Sequence, residues 1–171
     1  MIQKCSFIQV MGVFFKEPMQ IHFIREIGKK IDLAPTSVRN NIKDLIKAEL
    51  IIKKKSKPFD GFVANRDSQK FRDYKQIYNI YSLMELKEDI INKLGPRAIV
   101  LFGSYQKGED IESSDVDLLI ISKVRKEMDL KVFEKRINRR IHLTFMNNLE
   151  DFDKEIKENA KNGWVIYGRL Q

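Results

Sequence analysis

The stretch from Arg97 to Ser122 constrains the fold of this chain more than any other part of its sequence. It contains two apolar runs of strand length, 98–102 and 118–121, separated by a Gly-Ser pair and a polar loop. Continuous apolar runs of this length are typical of strands buried in a sheet. Asp115 and Asp117 open the second run, and on a strand their carboxylates are expected to project from the same face, about 7 Å apart. The stretch therefore predicts two sheet strands with a carboxylate pair at the start of the second.

The carboxylate pair predicts a metal and a phosphate ligand. Mg²⁺ binds one or two carboxylates, keeps several waters and takes further ligands from substrate phosphates, so a nucleoside triphosphate is the expected ligand. The order Gly103-Ser104, ten residues, Asp115-Val116-Asp117 and an apolar strand resembles the nucleotidyltransferase signature of the DNA polymerase beta superfamily. It is most similar to the minimal nucleotidyltransferase branch, some of whose members are antitoxins. The resemblance covers roughly residues 96–171.

The resemblance implies a role for each signature residue. Gly103 and Ser104 would line the triphosphate, and Asp115 and Asp117 would bind Mg²⁺ or Mn²⁺. A hydroxyl would attack the α-phosphorus of a nucleoside triphosphate, and pyrophosphate would leave. Lys107, in the loop after Ser104, is a candidate phosphate ligand, although a solvated loop lysine is an equal interpretation.

A third carboxylate is usual on a neighbouring strand in active members of the superfamily. The candidate strand, 139–146, alternates apolar Ile141, Leu143 and Phe145 with His142 and Thr144, which would face the aspartates. His142 is a candidate base or ligand, because a neutral imidazole can serve as either. The acidic residues that follow fall in a predicted helix over 149–160.

Because the predicted strand has no carboxylate opposite the aspartates, three hypotheses stay open. In the first, the chain is a nucleotidyltransferase that modifies an acceptor hydroxyl, with a partner protein as a candidate acceptor. In the second, it is a DNA-binding regulator or antitoxin whose transferase-like domain binds nucleotide without turnover. In the third, it is a protein–protein adaptor. A toxin-type protein is a candidate partner in either of the first two.

The N-terminal third predicts a winged helix-turn-helix. The pattern indicates a first helix over 7–15, helical spacing over 21–31, and a helix from Pro35 with Val38, Ile42, Leu45 and Ile46 on its apolar face. A hairpin with a lysine-rich tip follows. Its predicted contacts with double-stranded DNA are Thr36, Ser37, Arg39, Asn40, Lys43, Lys53, Lys54 and Lys55. A protein–protein module is the alternative, and His22 is given no role beyond packing.

The charge distribution supports a polyanionic partner for this segment. The chain has a net charge of +8, and residues 1–67 hold 13 basic and 7 acidic side chains. A single cysteine, Cys5, excludes an intramolecular disulfide. Without an apolar run of membrane-spanning length or a signal peptide, the expected location is cytoplasmic, with no membrane partner.

The fold class predicted for the whole chain is α+β. Residues 1–67 would form the winged helix-turn-helix domain, 68–95 a connecting helix, in one piece or two, and 96–171 a nucleotidyltransferase domain with a mixed sheet and helices on one face. The domain boundary is expected within the connecting helix. Its tyrosine stripe, Tyr74, Tyr78 and Tyr81, is predicted to pack against a neighbouring domain or a second copy of the chain, with base stacking as the lesser alternative.

Overall fold

The computed structural model describes residues 5–147, 157–158 and 162–170. The chain divides into two compact units, Met1–Lys75 and Gln76–Gln171, called here the N-terminal and C-terminal units. The boundary lies inside a helix, α4, at Gln69–Ser82. The three-part division at residues 67 and 95 stays a prediction. Among the described helices, none is long and apolar enough to cross a membrane.

The N-terminal unit begins with three helices and a hairpin, in the order that the sequence predicted. The elements are α1 (Ser6–Lys16), α2 (Ile24–Ile31), α3 (Pro35–Lys47), β1 (Ile51–Lys54) and β2 (Gly61–Ala64), and the two strands pair antiparallel. Asp32, in the left-handed conformation, ends α2, and Pro35 occupies the first turn of α3, where its missing N–H costs no hydrogen bond. The assignment as a winged helix-turn-helix stays a prediction.

Two details of this unit differ from the predicted pattern. Helix α2 begins at Ile24 rather than Ile21, because His22 is extended and exchanges both backbone hydrogen bonds with Phe62 of β2. Its ring is buried edge-on against Phe14, so the packing role holds. Val38, Ile42 and Leu45 are buried as predicted, but Ile46 is 39% exposed and does not belong to the apolar face of α3.

The connecting segment forms two helices, α4 and α5 (Met84–Leu94), separated by Leu83. The three tyrosines of α4 do not share one environment. Tyr78 is largely buried, and burial raises its pKa to about 12, whereas Tyr74 and Tyr81 are each 43% exposed. Packing of this stripe against a neighbouring domain or a second copy of the chain stays a prediction.

The C-terminal unit contains a four-stranded mixed sheet. Its strands are β3 (Ala98–Phe102), β4 (Val116–Ile121), β5 (Ile141–Met146) and β6 (Trp164–Gly168), in the order β5-β4-β3-β6. β3 is antiparallel to both β4 and β6, and β5 is parallel to β4. The short helix α6 (Gly103–Lys107) follows β3, and α7 (Lys131–Ile137) precedes β5. The sequence pattern over 127–137 is typical of a helix, but the helix begins only at Lys131.

The two faces of this sheet carry different side chains. One face buries Ile99, Leu118 and Ile120 against Leu86 and Ile90 of α5, which makes α5 part of this domain's core. The opposite face carries a smaller apolar cluster of Ala98, Val100, Leu119 and Ile121. Asp117 lies on this second face, since side chains alternate along β4. The helix predicted over 149–160 lies almost wholly outside the described residues.

Candidate active site

The Gly-Ser turn lies directly against the second aspartate. Gly103 follows the last residue of β3 and has a φ of +77°, a conformation that glycine adopts without strain. A Cβ atom at this position would lie 2.7 Å from Oδ2 of Asp117, so a side chain would displace the carboxylate. The antiparallel pairing of Phe102 with Asp117 fixes this approach. Gly103 and Asp117, which the sequence assigned to one site, are therefore in contact.

Asp115 and His142 form the other half of the site. Asp115 immediately precedes β4 rather than lying within it, and its Oδ2 is 3.5 Å from Nε2 of His142. The side chains are 43% and 60% exposed, so both are open to solvent and to a ligand. His142 is also the register partner of Asp117 across the β4–β5 pair. The structure thus brings the imidazole to both aspartates.

Asp117 has an altered acidity. Partial burial is the main reason why the pKa of its carboxyl is raised, and repulsion from Asp115 acts in the same direction. His142 opposes both by attraction. Repulsion between these two carboxylates also favours a bound cation, because a cation relieves it.

Ser104 and Lys107 lie on α6, at its second and last residues. Ser104 is partly exposed beside Gly103. Lys107 is exposed, and its backbone carbonyl accepts a hydrogen bond from Gln76 Nε2 at 3.1 Å. Contact of either side chain with a phosphate stays a prediction.

The neighbouring strand provides no third carboxylate. β5 has its predicted apolar face, with Ile141 buried and Leu143 and Phe145 packed against the main core. On the other face His142 lies opposite Asp117 and Thr144 opposite Leu119. Among residues 5–147, 157–158 and 162–170, no three His, Cys, Asp or Glu side chains are grouped closely enough to hold a metal ion by themselves. The donor set fits a Mg²⁺ ion that completes its shell with water and phosphate, not one enclosed by protein ligands.

A buried polar network supports the loop that leads to Asp115, and the sequence patterns did not reveal it. Asp110 accepts hydrogen bonds from Asn79 Nδ2 at 2.8 Å and from Arg139 Nη2 at 3.2 Å. The Asp110 and Arg139 side chains are each 1% exposed. Asn79 also donates to the carbonyl of Tyr105 at 2.8 Å, and Ser82 Oγ lies 2.8 Å from the Tyr105 hydroxyl. The network joins α4, α6, this loop and the start of β5.

The residues predicted to contact DNA lie on two elements of the N-terminal unit. On α3, Thr36, Arg39, Asn40 and Lys43 are exposed, whereas Ser37 is only partly exposed. Lys53 and Lys54 end β1, and Lys55 follows in the hairpin loop. Lys53 Nζ lies 2.6 Å from Asp60 Oδ2 across the hairpin, and this hydrogen bond is the main reason why the pKa of Asp60 is lowered. Lys53 is therefore less available to a phosphate than Lys54 or Lys55.

Comparison with known proteins addresses the C-terminal unit. No curated protein matches the chain. The family model described as "Nucleotidyltransferase domain" matches residues 83–167. The match begins in the segment that the sequence assigned to the connector, in agreement with the packing of α5 against the sheet. It ends within β6, so β3, β4, β5 and all of β6 except Gly168 fall in the matched region. Residues 83–167 are therefore similar to a nucleotidyltransferase domain.

Proposed function

We propose that the C-terminal unit transfers a nucleoside monophosphate from a nucleoside triphosphate to an acceptor hydroxyl, with a partner protein as the candidate acceptor. The observation that carries this proposal is the contact between Gly103 and Asp117. A phosphate chain that follows the Gly103 backbone would arrive beside the carboxylate pair without meeting a side chain. The family match of residues 83–167 supports the same reaction class.

Each site residue has its own role in binding the metal ion and the triphosphate. Asp115 and Asp117 would hold Mg²⁺ or Mn²⁺, which would supply positive charge against the charge that develops on the phosphate oxygens. Gly103 admits the triphosphate, Ser104 donates its hydroxyl to a phosphate oxygen, and Lys107 adds a positive charge at the edge of the loop. His142 lies on the solvent-open side of the site.

His142 is the candidate base. Its Nε2 lies 3.5 Å from Oδ2 of Asp115 and its side chain is 60% exposed, so an acceptor hydroxyl can approach the ring. A neutral imidazole accepts a proton from that hydroxyl as the new bond to phosphorus forms. The same residue also supports the second candidate, a regulator or antitoxin that binds nucleotide without turnover, because an imidazole lacks the negative charge of a third carboxylate.

Transfer of labelled nucleotide separates these two candidates. The protein is incubated with Mg²⁺ and α-labelled triphosphates, with and without a candidate partner, while pyrophosphate release is followed. Asp115→Asn/Asp117→Asn should abolish transfer, whereas Glu127→Gln, which removes an exposed carboxylate elsewhere in this unit, should not. Nucleotide binding without label transfer or pyrophosphate release would favour the binding-only candidate.

The N-terminal unit supports DNA binding as an accompanying function. Arg39, Asn40 and Lys43 form an exposed polar face of α3, and the hairpin carries further exposed lysines. A transferase or an antitoxin with this unit would act at, or control, a DNA site. Arg39→Ala/Lys43→Ala should weaken duplex binding and reduce its salt dependence, with exposed Lys70→Ala as the control. Wild-type protein that binds duplex DNA without salt dependence would contradict this function.

Partner surfaces are proposed for the connecting helices. In the C-terminal unit, Ile77, Tyr81 and Met84 are large apolar residues between 43% and 65% exposed. Apolar side chains exposed together on neighbouring turns favour a protein contact. A second copy of the chain and a toxin-type protein are the two candidates, and the mass of the protein in solution, alone and with the candidate toxin, distinguishes them.

A further inference from the structure

The tip of the β1–β2 hairpin exposes an aromatic ring among lysines. Phe59 is 73% exposed, the largest fraction among the exposed large apolar side chains of the described residues. Lys54, Lys55 and Lys57, which precede it, are exposed as well. Burying a side chain of this size is worth about 1.5–3 kcal/mol, and that free energy is not realised while the ring is exposed. A ring held in this position gains that energy on contact with a partner.

The hairpin is closed just behind the ring. The last strand pair joins Lys54 to Gly61, and the ion pair between Lys53 and Asp60 spans the same end of the ladder. The loop over 55–60 therefore projects from a fixed base. Phe59 is adjacent in sequence to Asp60, one member of that ion pair. This neighbour restricts the movement of the ring away from the tip.

The chemistry of this tip combines cations with one flat apolar surface. Lysines bind phosphates through charge but carry no base-stacking surface. A phenyl ring has no charge with which to bind a phosphate, but it can stack on a base or separate two stacked base pairs. We propose that Phe59 inserts as an apolar wedge at a base-pair step of duplex DNA, while Lys54, Lys55 and Lys57 bind the flanking phosphates. The proposal rests on the DNA-binding function of the N-terminal unit and is independent of nucleotidyl transfer.

The wedge has a signature different from that of a phosphate contact. Removing a lysine lowers the salt dependence of binding, because fewer counterions are released. Removing the ring leaves that dependence unchanged but weakens affinity and removes the kink that an inserted side chain produces. Pyrimidine–purine steps such as TA unstack most easily, so the wedge should prefer duplexes that contain them.

The test uses the full chain and a short duplex with TA steps, labelled at both ends. Fluorescence anisotropy measures affinity over a range of salt concentrations, and energy transfer between the labels measures bending. Phe59→Ala should bind about ten-fold more weakly with an unchanged salt slope and lose the bend, whereas Phe59→Trp should keep both. Lys55→Ala should lower the salt slope by about one and keep the bend. Thermal unfolding of Phe59→Ala should match wild type, because the ring is exposed.

Three results would overturn the proposal that Phe59 inserts into duplex DNA. Equal affinity and bending for Phe59→Ala would remove the wedge and leave DNA binding intact. An absence of any duplex binding by wild type would remove both. Phe59-dependent binding to vesicles of anionic lipid, with no Phe59 effect on DNA, would assign the tip to a membrane surface instead.

Discussion

Breaking the Asp110–Arg139 pair should destabilise the C-terminal unit strongly. Both side chains are 1% exposed, and Nη2 lies 3.2 Å from Oδ2. Removing one partner leaves the other charge buried without its main compensation, at a typical cost of about 3–5 kcal/mol. Asp110→Asn and Arg139→Gln should therefore each lower the free energy of unfolding of this unit by about 3 kcal/mol or more. In urea, that loss moves the midpoint by about 1–3 M, since m is about 1–3 kcal/mol/M for small domains.

The chain offers a local reporter and a matched control for this measurement. Trp164, the single tryptophan, lies in β6, so its fluorescence follows the unfolding of the C-terminal unit. The ion pair between Lys93 and Asp89 on α5 is also short, at 2.8 Å, but its side chains are 48% and 26% exposed. Asp89→Asn should cost no more than about 0.5 kcal/mol, because solvent screens the pair.

A double-mutant cycle tests the reasoning directly. Asp110→Asn/Arg139→Gln removes both charges, so its cost should be close to that of one single variant and well below the sum of the two. Costs that add, or single variants that each cost less than about 1 kcal/mol, would refute the view that an uncompensated buried charge is the penalty.

Three further predictions concern the site itself. Gly103→Ala should reduce nucleotide binding and transfer at least about ten-fold by displacing Asp117. Gly95→Ala is the control, because Gly95 also has a positive φ, +51°, but nothing lies within 4 Å of the added Cβ. It should cost only about 1–3 kcal/mol of stability. Asp117→Asn should abolish transfer yet raise the melting temperature slightly at neutral pH. The raised pKa of Asp117 means that the folded state loses stability as the carboxyl ionises, so this advantage should vanish below about pH 4; an advantage that grows in acid would contradict it. His142→Asp should increase transfer by restoring a carboxylate opposite Asp117, whereas His142→Asn should decrease it, as label-transfer rates will show.

Sequence periodicity predicted those parts of the fold that depend on local pattern. The runs around 98–102 and 118–121 are strands because their residues are apolar throughout, and β5 has its predicted faces because its apolar residues alternate. Periodicity failed where long-range contacts decide. Ile21 and His22 fit a helical spacing, but pairing with β2 holds that segment extended. Such a tertiary contact outweighs the small free-energy differences of intrinsic propensity.

Some residues of the candidate site could likewise be predicted from the local sequence, and others could not. The pair Asp115 and Asp117 could be found from the sequence, because both residues lie on one continuous stretch. Asp110 and Arg139 could not, because they are 29 residues apart and each stands in a polar context that predicts solvent exposure. Their burial follows from the meeting of α4, α6 and the start of β5, which no local pattern specifies.

Hydrogen bonds at the start of β5 fix the position of His142 opposite Asp117. The N–H of Val116 donates to the Arg140 carbonyl at 2.8 Å, and the N–H of Ile141 donates to Glu134 Oε1 at 3.0 Å. Both bonds lie at the start of β5, so they hold the register that places residue 142 opposite Asp117. A slip of one residue would turn Ile141 out of the main core, and register is strongly specified where one face is buried. Substitutions at position 142 therefore test the side chain opposite Asp117 without a change of strand register.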